Sequence, residues 1–129
     1  MKILYENDAE ACSFPYHFEI EQDETTGQSI CVCISYVYKN LNIDDSSRDS
    51  VNEELGNIPT IKGSHYELDS NMIIYRTERS VREHGDGVDN EVDTRRSFIE
   101  DYLETADAVR AIARRYGGKT CKTEFIIDD

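Results

Sequence analysis

Phe14-Pro15-Tyr16-His17-Phe18-Glu19-Ile20-Glu21-Gln22-Asp23-Glu24-Thr25-Thr26-Gly27-Gln28-Ser29-Ile30-Cys31-Val32-Cys33-Ile34-Ser35-Tyr36-Val37-Tyr38 is the stretch on which the fold turns. Phe14, Tyr16, Phe18 and Ile20 point one way, and His17, Glu19, Glu21 and Asp23 the other. That period of two is the mark of a strand with one wet face. Ile30, Val32, Ile34, Tyr36 and Tyr38 then alternate with Cys31, Cys33, Ser35 and Val37. Asp23-Glu24-Thr25-Thr26-Gly27 lies between the two runs, with Gly27 suited to a left-handed turn position, so the pair reads as a β-hairpin.

Upstream, Lys2–Tyr5 predicts a short strand. Downstream, Ser46-Ser47-Arg48-Asp49 resembles a capping box, and Val51 and Leu55 share a helical face before Gly56. Together they predict a helix over 46–55. Thr60–Leu68 and Met72–Glu78, joined by Asp69-Ser70-Asn71, predict a second hairpin. Residues 81–92 read as a hydrophilic loop. Asp93 or Thr94 then caps a helix that stops at Gly117-Gly118. Its stripe is Phe98, Tyr102, Ala106, Val109, Ile112 and Tyr116, at spacings of three and four. Thr120–Ile127 predicts a last strand. The expected architecture is a single α+β domain over 1–129: an antiparallel sheet of two hairpins plus edge strands, covered by one long C-terminal amphipathic helix at about 94–116.

Charge narrows the function. The chain carries 27 acidic and 14 basic side chains, a formal net charge of -13, and its first 60 residues hold only Lys2, Lys39 and Arg48 as bases. Such a field repels nucleic acid and anionic membrane and attracts basic surfaces. No apolar run reaches the ~18 residues of a membrane span, and the N-terminus lacks a signal-peptide core. The expectation is a cytoplasmic protein. In that compartment Cys12, Cys31, Cys33 and Cys121 are expected as free thiols, since the paired spacing of a zinc site is missing.

No catalytic motif surrounds His17, His65 or His84. A thiol–imidazole pair of Cys31 or Cys33 with His17 requires a register that brings outward faces together. Asp86–Asp93 is rich in oxygen ligands but lacks the spacing of a calcium loop. Neither a catalytic residue, a metal site nor a cofactor is therefore assigned. The acidic surface has a mechanism. Glu19, Glu21 and Asp23, ~6.7 Å apart along a strand, form a row spaced like backbone phosphates, and Glu24 follows them. Asp44, Asp45, Asp49, Glu53 and Glu54 form a second cluster. If both lie on one side, they fit the Lys/Arg groove of a nucleic-acid-binding partner.

The expected function is that of a small acidic, non-enzymatic protein that binds a partner protein's basic surface and touches neither nucleic acid nor membrane directly. Its size, charge and lack of a catalytic motif resemble those of phage and mobile-element inhibitors of host defence nucleases, of the anti-CRISPR and anti-restriction type, with nucleic-acid mimicry the expected mode of action. Two alternatives remain: a homodimeric, chaperone-like assembly module, and a thiol- or metal-dependent enzyme.

Overall fold

The first two strands, β1 (Lys2–Ala11) and β2 (Phe14–Gln22), meet at Cys12-Ser13, whose φ values of 53° and 67° make a tight two-residue turn of the kind that suits strand twist. β1 is more than twice as long as the expected Lys2–Tyr5. Its alternation is carried by Glu6, Asp8 and Glu10 against Tyr5, Asn7 and Ala9, so it has little apolar content to announce it. The computed structural model, which describes residues 1–123, continues with β3 (Ser29–Lys39), α1 (Arg48–Gly56), β4 (Ser64–Asp69), β5 (Met72–Ser80), α2 (Gly87–Arg115) and β6 (Lys119–Thr120). The sheet is antiparallel, in the order β1-β2-β3-β5-β4, and β6 pairs with Tyr38 and Lys39 of β3. Of the expected Thr120–Ile127 strand, only its start is seen; 124–127 lies outside the described residues.

Register decides which face is inside. Phe18 pairs with Cys33 and Ile20 with Cys31, so these residues share the inner face with Val37, Tyr66, Ile73 and Tyr75. Val51 and Leu55 of α1 and Phe98, Tyr102, Val109 and Ile112 of α2 pack on the same core, so both helices cover one face. Each fully buried large apolar side chain contributes roughly 1.5–3 kcal/mol. Edge-on ring contacts at 4.9–5.0 Å link Tyr66 to Tyr75 and Tyr75 to Phe98, and tie Phe14 to Tyr102.

Three local expectations need correction. The capping box at Ser46–Asp49 does not form: Ser47 makes no side-chain cap, and Asp44 instead accepts from the Ser46 hydroxyl and the Ser47 amide at 2.9 and 3.0 Å. Thr60–Gly63 lies outside β4, because Gly63 turns the chain at φ 86° and Thr60 hydrogen-bonds back to the Ser64 carbonyl. The long helix starts seven residues early. Asp86 caps it and forms a reciprocal box with Asp89, so the supposed loop and calcium candidate Asp86–Asp93 is its cap and first two turns.

Candidate functional site

The face of the sheet opposite the helices gathers a set of carboxylates. Along β1 and β2, register sets Glu6 opposite Glu19 and Asp8 opposite His17, and places Glu10 and Glu21 on the same face. Five carboxylates therefore share two adjacent strands, with neighbours ~4.8 Å across and ~6.7 Å along. Like charges directly opposite are unfavourable. The local relief is His17, whose Nδ1 lies 2.5 Å from Asp8 Oδ1 and whose Nε2 lies 2.7 Å from Glu19 Oε1 and 3.9 Å from Glu6 Oε2. Hydrogen bonds to Asp8 and Glu19 hold the imidazolium above its ordinary pKa, overcoming the opposing effect of partial burial.

Further across the same face the balance changes. Arg76 pairs with Glu78 at 2.9 Å, and His65 with Glu67 at 3.0 Å. Between these halves runs an apolar spine on β3: Ile30, Val32, Ile34 and Tyr36. Val32 is buried between its Glu19 and Glu78 neighbours, and Tyr36 is 41% exposed. Tyr36 and Ile34 border an open concavity of about 440 Å³ whose other walls include Asp8, Glu10, Pro15 and His17. The arrangement is a shallow apolar notch with a negative rim.

Not all the acidic residues singled out in the sequence belong to it. Glu19 and Glu21 do. Asp23 accepts from the Thr25 and Thr26 amides at 2.8 and 3.3 Å and fixes the hairpin turn, with Glu24 exposed beside it. Asp44, Asp45, Asp49, Glu53 and Glu54 lie in and before α1, which packs over β4 on the helix side. They are on the opposite face, and β4 is three strand spacings from β2, about 14 Å. Glu54 is paired with Arg115, and hydrogen bonds from Ser47 and Ser46 hold the Asp44 carboxyl below its usual range. The two clusters do not form one surface. What the sequence reading missed is the β1 row Glu6, Asp8 and Glu10, whose strict alternation was its only signal.

The other candidates separate in the same way. Cys31 and Cys33 face the core while His17 faces out, so the sheet lies between them and no thiol–imidazole pair forms. Burial pushes the Cys33 thiol up to about 12, which removes the thiolate a nucleophile needs. Among the described residues, the donor atoms grouped closely enough to share a cation are those of Glu6, His17 and Glu19, all within 4.8 Å of one another. Two carboxylates on α2 are buried and satisfied. Glu91 accepts from Tyr5, Asn7 and Tyr16, and Asp101 from Tyr75 and the Ile61 amide. Every fully buried side-chain polar atom among the described residues has a partner, which marks these networks as structural. No helix of the described residues is long and apolar enough to cross a membrane. No family model matches this sequence, and neither the curated proteins nor the solved structures yield a similar chain.

Proposed function

We propose that this protein binds the basic, nucleic-acid-binding surface of a partner protein through the bare face of β1–β3. The observation that carries the reading is the set of Glu6, Asp8, Glu10, Glu19 and Glu21 on two adjacent strands, with a single imidazole among them. Lysines or arginines spaced along a partner's phosphate groove find carboxylates at matching intervals, and the Ile34–Tyr36 notch receives an apolar or planar group between them. A band of two adjacent rows replaces the two clusters expected together on one side, so the footprint narrows to β1 and β2. Inhibition of a nuclease by occupying its groove is the form such mimicry takes, in the cytoplasm where four free thiols are at home.

Self-association through the open edge of β1 is the competing reading. Two copies paired antiparallel there would set Glu and Asp against Glu and Asp, which favours a cationic partner over a second copy. A backbone-amide NMR titration with a short oligolysine tests the proposal. The expected shifts fall on β1–β3, weaken with added salt, and spare α1. Shifts spread evenly over all acidic segments would contradict it.

A further inference from the structure

The end of α2 and the strand after it enclose a second cleft, of about 310 Å³, on the helix side of the sheet. Phe14, Tyr38 and Tyr102 wall it, each no more than 7% exposed, and Arg110, Arg114 and Lys122 line it. Acids outnumber bases 27 to 14 in the chain, yet among the described residues every charged side chain lining this cleft is a cation. Arg110 does hydrogen-bond Asp107 at 3.2 Å, but that carboxylate is 96% exposed and stands outside the lining. Complementing the helix dipole accounts for arginines in the last turns of α2, but not for Lys122 beyond β6. Arg110 and Arg114 are one turn apart on one helical face, a like-charge arrangement that Asp107 offsets on one side and that a bound anion would relieve further.

Backbone amides satisfy two of the last carbonyls of α2, which lessens the opposition of its negative end to an anion. The Ala113 carbonyl accepts from the Tyr116 and Gly118 amides at 3.2 and 2.8 Å, and the Arg114 carbonyl from Gly117 at 3.2 Å. Tyr102 lines the cleft as a protonated phenol, the form that its burial favours. We propose that this cleft binds a phosphoryl group, with Arg110 and Arg114 as planar guanidinium forks and Lys122 as the third cation. Its volume lies at the small end of ligand pockets, which suits inorganic phosphate or a small phosphate ester. The site lies on the other face of the sheet from the docking surface and does not depend on it.

Calorimetric titration with inorganic phosphate and with phenyl phosphate, at low salt, tests this. Saturable binding in the millimolar range or tighter is expected, with equal affinities assigning free phosphate and tighter phenyl phosphate assigning an organic ester. Arg114→Gln should weaken binding at least tenfold, because a charge-assisted fork is lost. Arg96→Gln, outside the cleft, should leave it unchanged. Lys122→Gln provides a second variant should Arg114→Gln fold poorly. No saturable heat from either probe, or the same weakening from Arg96→Gln, would overturn the assignment.

Discussion

His17 is the residue whose protonation the structure couples most directly to folding. An unfolded histidine titrates near ~6.5, and in the folded chain Asp8 and Glu19 raise that value by accepting from the ring. The imidazolium's contribution is therefore complete below the unfolded value and is lost as pH climbs through the raised folded one. Wild type should lose stability across that window, and His17→Gln should lose less. The difference should be small, because the ring is 37% exposed and solvent screens the pairs. Urea unfolding on both sides of the window measures it, and parallel curves for the two proteins would refute the coupling. The thiols give a second test. Cys31 and Cys33 are buried on the inner face, while Cys12 and Cys121 are half-buried. A disulfide-exchange reagent should modify Cys12 and Cys121 in the native protein, and Cys31 and Cys33 only after unfolding. Rapid reaction at Cys33 in the native state would contradict its placement.

At the scale of elements, α2 shows how a helix start can hide in a sequence. Asn90, Glu91 and Thr94 occupy its inward face, where an apolar stripe would be expected, so the periodic signal begins only at Phe98. Gly87 fits because the Tyr5 ring lies against it, where a Cβ would collide. Asp86→Ala removes the cap and should destabilise by about 1 kcal/mol. Glu91→Ala strands the Tyr5, Asn7 and Tyr16 donors and should destabilise by about 3 kcal/mol. Thermal unfolding that ranks the two variants the other way would mean Glu91 is not the tie between α2 and the first strands. The β2–β3 hairpin was legible because both strands alternate visibly around Gly27, and the second half of α2 because its stripe is unbroken. β1 was not, since its inner face mixes Tyr5 and Asn7 with alanine, and its Cys12-Ser13 turn lacks the usual Asn-Gly signal. The acidic site was half legible for the same reason. Glu19 and Glu21 stand on a readable strand, whereas the α1 acids are near them only in sequence, which does not report which face of a sheet a helix covers.

Over the whole molecule, the two layers sort charge by role. The helix layer pairs or buries much of what it carries: Glu54 with Arg115, Asp107 with Arg110, and Glu91 and Asp101 within hydrogen-bond networks. The open face of β1 and β2 leaves its carboxylates to one imidazole. A net charge of -13 draws any polycation weakly from every side, so the decisive contrast is between faces at equal charge. Two variants supply it: Glu6, Glu10 and Glu21 changed to lysine on the open face, and Asp45, Asp49 and Glu53 changed to lysine around α1. Both alter the net charge equally and touch exposed or half-exposed positions. The measurement is the affinity of each variant for one oligolysine probe across a salt series. A docking face on β1–β3 predicts that the first variant loses most of its affinity and its salt slope while the second stays close to wild type; equal losses in both would contradict it.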